Sequence, residues 1–197
     1  MEKRFKSLKK WLAIAGLLLL LLLTGMVAFS PYGKQKDFPY KLVKHTVEIN
    51  APVDSVFNLL GKSSMASSWS VYVDHITPLN ADSFPDGTTG SRRRCFCEND
   101  ETGIQWDELI TENIPDKKRQ LVLYNLKGFP ITADHLATEQ LYEKLSENKC
   151  SLTFTLFFKD SKPGLLESLK TYFAGYKIKD IYSANMYNIK RIAETGK

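Results

Sequence analysis

Two charged residues, Arg93 and Glu108, occupy sequence positions that could support binding chemistry. If Cys97 pairs with Ile104 across the polar turn between them, Arg93 falls directly opposite Glu108 on the neighbouring antiparallel strand. A guanidinium and a carboxylate on an otherwise apolar face could orient the polar end of a ligand. The alternative, which such cross-strand pairs generally favour, is a structural ion pair that fixes the strand register. Both interpretations stay open at this point.

The same register separates the two faces of the hairpin. Arg94 falls opposite Asp107 on the other face, so opposite charges are paired twice. The side chains that accompany Arg93 and Glu108 are mostly apolar, which predicts that their face looks inward. These companions are Cys95, Cys97, Ile104, Trp106 and Ile110.

Other reactive residue types do not form a recognisable catalytic or metal site. His45, His75 and His135 are scattered, and none of them has a partner at helical metal-ligand spacing. Gly87 and Gly90 are not followed by the Gly-Lys-Ser/Thr of a phosphate-binding loop, which favours a hairpin turn. We therefore predict no catalytic residue, no metal ligand and no cofactor.

The three cysteines are predicted to act as small apolar residues. Cys95 and Cys97 lie two positions apart on one strand, where their parallel side chains suit a disulfide poorly. Cys150 has no second cysteine pair or histidine near it in the sequence.

Aromatic residues are abundant, with eleven Phe, nine Tyr and three Trp. They suit the wall of an apolar pocket, but a filled core gives the same sequence signal. Tyrosine hydroxyls could also contact a ligand or act as weak acids. The predicted pocket residues are Arg93, Cys95, Trp106, Glu108, Ile110, Tyr124, Phe154, Leu156, Phe173 and Tyr176.

The positive charge of the chain is concentrated at its N-terminus. The net charge is +5, but the first ten residues contain five basic residues and one acidic residue. The remainder holds 22 basic and 21 acidic residues, a nearly neutral balance that argues against nucleic-acid binding. Residues 11–29 carry no charge, and at helical rise they span about 28 Å, enough to cross a bilayer.

These features predict a single-pass membrane protein. The basic tail 1–10 should stay cytoplasmic, 11–29 should be the transmembrane anchor, and 30–41 reads as a linker. The domain after it is then expected on the periplasmic or extracellular side. A cleaved signal peptide is the competing interpretation. Against it, the apolar run is longer than the usual ~7–15 residues, and Pro31 would follow the best cleavage site.

The rest of the chain predicts one α+β domain over residues 42–193. A strand at Leu42–Ile49 is followed by two short helices ending near Trp69 and finally by a helix beginning near Leu165. Between them, turn residues separate six strands, which should form an antiparallel meander covered by the last helix. The six strands are Val71–Thr77, Gly90–Cys97, Ile104–Glu112, Arg119–Leu126, Ala133–Leu145 and Cys150–Lys159.

This order resembles the helix-grip fold of the START-related SRPBCC superfamily, and within it the polyketide cyclase/dehydrase and lipid-transport group. The segment Val47–Phe57 is similar to the opening strand and helix of that group, and Trp69 to its tryptophan after the second helix. Gly87–Gly90 resembles its glycine turn, and Trp106–Glu112 its fourth strand.

The resemblance implies a seven-stranded antiparallel sheet wrapped around a long C-terminal helix, with two short helices after the first strand. It also implies a pocket for a lipid or other hydrophobic small molecule between sheet and helix. A membrane-anchored binding protein is therefore the expected function, with catalysis the less favoured outcome. The alternatives are a cyclase- or dehydrase-like enzyme acting on an apolar substrate and a non-catalytic interaction domain with a filled core.

Overall fold

The computed structural model describes residues 2–36, 38–129, 136–159 and 163–196, with side chains from Lys9 onward. The chain divides into two compact units, Met1–Ser30 and Pro31–Lys197. His135 and the predicted strand start at Ala133 lie outside the described residues.

The first unit consists of helix α1 (Glu2–Ala28). Its segment Lys9–Ala28 is long and apolar enough to cross a membrane by length and composition, a test that a signal sequence also passes. None of the apolar window is buried against protein. The helix includes most of the predicted basic tail as well as the predicted anchor.

The second unit contains an eight-stranded antiparallel sheet and a long C-terminal helix. Its strands are β1 (Gly33–Lys34), β2 (Lys41–Ile49), β3 (His75–Pro78), β4 (Arg92–Phe96), β5 (Gln105–Ile114), β6 (Lys118–Lys127), β7 (Leu136–Ser146) and β8 (Lys149–Phe158). The strand order across the sheet is β1-β2-β8-β7-β6-β5-β4-β3. Between β2 and β3 lie α2 (Val53–Gly61), a 3₁₀ turn (Ser63–Met65) and α3 (Ala66–Trp69). Helix α4 (Leu165–Thr195) follows β8.

Two clusters of buried side chains pack between the inner face of the sheet and the helices. One joins α2 to the sheet through Phe57, Tyr142 and Leu152, and the other includes Trp106 and Leu156. This arrangement confirms the predicted helix-grip architecture, in which a long helix covers one face of the sheet.

The sheet has eight strands rather than seven because the segment after Pro31 adds the short strand β1. Gly33 pairs with Leu42, and Tyr32 just before it is 3 % exposed in the core. On the opposite face of the sheet, the ring of Tyr40 stacks on Phe157 at 4.5 Å between centroids. The segment expected to be a linker therefore contributes the buried Tyr32 and the half-buried Tyr40 to the folded unit.

The strand predicted at Val71–Thr77 is shorter than expected. Ser70 Oγ accepts hydrogen bonds from the backbone amides of Tyr72 and Val73, at 3.1 and 2.9 Å. The Val71 amide donates to Asn185 Oδ1 on α4 at 2.7 Å. Because these amides are engaged elsewhere, sheet pairing begins at His75.

Helix α4 buries a different face from the one that its sequence predicts for the first half. The helical spacing of Leu165, Leu169, Tyr172, Phe173 and Tyr176 predicts that these residues face inward. In the structure Leu165 and Leu169 are 90 % and 45 % exposed, whereas the small residues Thr171 and Gly175 are buried. For the second half the spacing predicts Ile181, Asn185, Ile189 and Ile192, and the burial of Asn185 and Ile189 agrees with it.

Candidate functional site

The predicted register between β4 and β5 is confirmed. Arg93 lies opposite Glu108, Arg94 opposite Asp107, and Cys95 opposite Trp106. The Cys97 amide donates to the Ile104 carbonyl at 3.0 Å, which continues the same pairing beyond the strand ends. The apolar face looks inward, as the hydrophobic pattern predicted.

Arg93, Glu108 and Trp106 form one hydrogen-bonded group on this inner face. Arg93 Nε donates to Glu108 Oε2 at 2.7 Å, and Trp106 Nε1 donates to Glu108 Oε1 at 3.0 Å. Arg93 is 5 % exposed and Glu108 8 % exposed. Both carboxylate oxygens of Glu108 are therefore engaged, which holds the charge in one position.

Charge and burial act together on the ionisable groups around this pair. Burial alone would lower the pKa of Arg93, but the neighbouring Glu108 carboxylate raises it above the usual value. Burial, and then the same carboxylate, raise the pKa values of the Cys95 thiol and the Tyr182 hydroxyl. The thiol and the hydroxyl therefore stay neutral beside a charged pair.

A cavity of about 260 Å³ lies between this group and α4. It is near the lower end of the ~300–1,000 Å³ typical of small-molecule pockets. Apolar side chains dominate its wall, and Arg93, Glu108 and Gln140 are among its charged and polar members. The sheet and its connecting loops also contribute Tyr72, Ile76, Leu121, Leu123, Phe129, Leu136, Thr138 and Glu139, and α4 contributes Ala174, Lys177, Ile178, Ile181, Tyr182 and Asn185.

Six of the predicted pocket residues line this cavity. Arg93, Cys95, Trp106 and Glu108 come from β4 and β5, and β8 supplies Phe154 and Leu156. Their shared inward orientation follows from the period-2 alternation of each strand.

The other four predicted pocket residues lie outside the cavity wall. Tyr124 pairs with Asp107 across β5 and β6, on the opposite side of the sheet from Glu108. Phe173 and Tyr176 flank the buried stripe of α4 rather than belonging to it. Ile110 faces inward but is completely enclosed by its neighbours.

Sequence reasoning missed a second buried cation, Arg119, which is 1 % exposed. Its Nη1 donates to Gln140 Oε1 at 3.1 Å and to the Tyr142 hydroxyl at 3.3 Å. Its guanidinium carbon lies 4.4 Å from the centre of the Phe57 ring. Burial lowers the pKa of Arg119 from its usual value.

The sequence does contain a signal for this burial, because residues two positions apart on a strand share one face of the sheet. Arg119 shares a face of β6 with Leu121 and Leu123, which line the cavity. Its position beside the β5–β6 turn makes it look like a solvent-exposed charge. Tyr72, Val73 and Tyr182 were also missed as cavity residues, because none belongs to a clear alternating pattern.

The described histidines lie away from the cavity. His75 stacks on Phe96 and contacts Asp74 at 2.8 Å, and its pKa is raised by that carboxylate. Burial, and then Lys179, lower the pKa of His45. Within the ranges that the structure describes, no group of three or more His, Cys, Asp or Glu residues could hold a metal ion.

Comparison with known proteins identifies the fold through structure alone. No protein-family profile and no curated protein matches the chain by sequence. The Zhui aromatase/cyclase from Streptomyces sp. R1128 is similar with a TM-score of 0.57 at 16 % identity, covering 79 % of this chain and 96 % of that one. An Aha1 protein from Colwellia psychrerythraea gives 0.55 at 16 %, covering 79 % and 98 %. XoxI from Bacillus cereus gives 0.55 at 13 %, covering 77 % and 94 %.

DynU16, described as a putative protein of the dynemicin biosynthetic locus, gives a TM-score of 0.56 at 18 % identity. The match covers 79 % of this chain and 48 % of DynU16. Together these neighbours confirm the predicted helix-grip fold, and one of them is named as an aromatase/cyclase. At such low identity the likeness establishes only the fold, so the function has to be inferred from the residues of the site.

Proposed function

We propose that this chain is a membrane-anchored binding protein for a lipid or other hydrophobic small molecule. The observation that carries the proposal is the cavity between the sheet and α4, with its apolar wall and one buried charged group. Apolar surface would bind the body of the ligand. The Arg93–Glu108–Trp106 group would orient a polar end, because its charges are already fixed in place.

The hydrogen bonds that Glu108 accepts favour ligand binding over catalysis. A general base needs a free position from which to take a proton. Here one oxygen of Glu108 accepts from Arg93 and the other from Trp106. No histidine is found among the cavity residues that the structure describes. The arrangement thus suits a fixed binding group better than a proton-transfer group.

In this proposal, residues 11–29 anchor the protein, residues 1–10 lie in the cytoplasm, and the domain lies across the membrane. The uncharged segment of α1 and the basic residues before it support this topology. Anchoring would raise the local concentration of the cavity near lipid ligands.

The proposal predicts that the protein co-purifies with a hydrophobic molecule that a bulky cavity residue displaces. The full-length protein, extracted in mild detergent, would be analysed by native mass spectrometry, and any bound molecule identified after denaturation. Ala174→Phe places an aromatic ring at the cavity wall of α4 and should remove most of the bound mass. Ser183→Phe is the matched control, because it adds the same ring at an exposed position of the same helix.

Equal ligand content in the two variants would contradict the assignment of the cavity as the binding site. Absence of any bound molecule in all samples, together with no uptake of added lipid, would favour a filled-core interaction domain instead. Conversion of a bound molecule during incubation would favour the enzyme alternative.

A further inference from the structure

The first two turns of α4 expose large apolar side chains. Leu165, Leu166 and Leu169 are 90 %, 67 % and 45 % exposed. Single exposed leucines are common on protein surfaces, but three within five residues of one helix end form a continuous apolar patch. Such a patch favours contact with another apolar surface.

This patch lies beside the point where the chain enters the second unit. The Tyr32 ring packs edge-on against Tyr172 of α4, at 5.4 Å between centroids, and Tyr32 also hydrogen-bonds to Ser168. Leu165 and Leu169 precede Tyr172 by seven and three positions on the same helix. They therefore lie within about 10 Å of Tyr172 along the helix axis.

The chain immediately before Tyr32 is the proposed anchor. Two residues, Ser30 and Pro31, separate Phe29, the last residue of the proposed anchor, from Tyr32, so the two are three Cα–Cα steps apart. Even a fully extended chain of that length reaches only about 11 Å. An uncleaved anchor therefore holds Tyr32, and with it the start of α4, close to the bilayer surface.

The charges near this entry point also suit a membrane surface. Lys34, Lys36 and Lys41 follow Tyr32 in sequence, and the Lys41 ammonium donates to the Tyr172 hydroxyl. On α4, Lys170 lies between Leu169 and Tyr172, and the one acidic residue of the first turn, Glu167, is half-buried. Basic side chains around an apolar patch attract anionic lipid headgroups while the patch contacts the acyl region.

We infer that the first turns of α4 form a second membrane contact, in which Leu165, Leu166 and Leu169 insert into the leaflet nearest the end of the anchor. This inference rests on the proposed function, since it requires the anchor to stay attached. Ala174 and Ile178 line the cavity on the next turns of α4. The inserted leucines thus place that side of the cavity wall next to the bilayer. An apolar ligand that moves between the bilayer and the cavity would then cross only a short distance through water.

The test uses the full-length protein in vesicles of phosphatidylcholine and phosphatidylglycerol, with a nitroxide label attached to a new cysteine. Leu166→Cys reports on the patch. Tyr187→Cys is the matched control on the same helix, because Tyr187 is 68 % exposed and Leu166 67 %. About 21 residues, or ~31 Å of helix, separate the two positions. Labelling of the unsubstituted protein corrects for Cys97, which is half-buried.

The measurement is the accessibility of each label to oxygen, which enriches in lipid, and to a water-soluble nickel chelate. We expect a shift towards oxygen at position 166 and towards the chelate at position 187. Nickel accessibility at 166 equal to that at 187 would overturn the inference. Loss of access to both reagents at 166 would also overturn it, since that indicates a protein partner or a second copy of the chain.

Flotation of the same vesicles separates this inference from the proposal on which it rests. If the protein floats with the vesicles but position 166 stays aqueous, the anchor stands and the second contact is wrong. If the protein does not float, the anchor itself is wrong and the inference fails with it.

Discussion

Substitutions of the buried pair Arg93 and Glu108 test whether the two charges stabilise the fold as a coupled pair. In Arg93→Met, the Glu108 carboxylate keeps its hydrogen bond from Trp106 but loses the cation that balances its charge. In Glu108→Gln, Arg93 loses its carboxylate partner while it remains close enough to Arg119 to lower the pKa of that residue. Because Arg93→Met also removes this repulsion between two guanidinium groups, we expect Glu108→Gln to be the more destabilising change.

The expected magnitude follows from burial. Removing one member of a deeply buried ion pair costs about 3–5 kcal/mol, and Arg93 and Glu108 are 5 % and 8 % exposed. For a domain of this size, that corresponds to a fall in Tm of roughly 10 °C. The double variant leaves no unpaired charge at this site, so it should be about 1–3 kcal/mol milder than the sum of the single changes.

The assay is thermal unfolding of the full-length protein in detergent, followed by near-ultraviolet circular dichroism. Lys149→Met is the control, because Lys149 pairs with Glu48 across β8 and β2 and both side chains of this pair are exposed, at 40 % and 62 %. Its loss should therefore cost about 1 kcal/mol or less. Additive effects of Arg93→Met and Glu108→Gln would refute the coupling, and a cost for Lys149→Met equal to that for Arg93→Met would refute the role of burial.

Two further predictions concern a tight turn and the membrane topology. Gly87→Ala should be strongly destabilising, because Gly87 has a φ of +80° and its new Cβ would lie 2.4 Å from the Gly61 carbonyl oxygen. Gly196→Ala is the control, because Gly196 has a similar φ of +71° but no atom within 4 Å of the new Cβ. In urea unfolding it should show only the conformational cost of about 1 kcal/mol. Equal losses of unfolding free energy in Gly87→Ala and Gly196→Ala would refute the steric argument. A reporter that is active only in the cytoplasm should give no signal when fused after Lys197, whereas a strong signal would refute the extracytoplasmic placement.

The sequence was sufficient to predict the pairing of β4 with β5. One register pairs Arg93 with Glu108 and Arg94 with Asp107, and it also places Cys95 opposite Trp106 on the same face as Arg93 and Glu108. The structure reproduces every pairing of that register.

Prediction failed where burial depends on contacts that are distant in the sequence. The backbone at Val71 leaves the sheet because Asn185, more than a hundred residues later, accepts its amide hydrogen bond. Arg119 is buried because Phe57, Gln140 and Tyr142 surround it. No local pattern carries information about these partners, so neither the short β3 nor the second buried cation could be predicted.

The contact between α4 and β2 has a consequence for how the protein behaves when it is crowded. β1 pairs with only the first two residues of β2, so much of that edge would otherwise offer free carbonyl groups to a neighbouring chain. Lys179 donates to the Lys44 carbonyl at 2.9 Å, and Lys190 to the Glu48 carbonyl at 2.8 Å. These ammonium groups occupy edge acceptors and place positive charge along the edge. The two lysines thereby oppose the edge-to-edge strand pairing that would turn encounters between copies of the chain into aggregates.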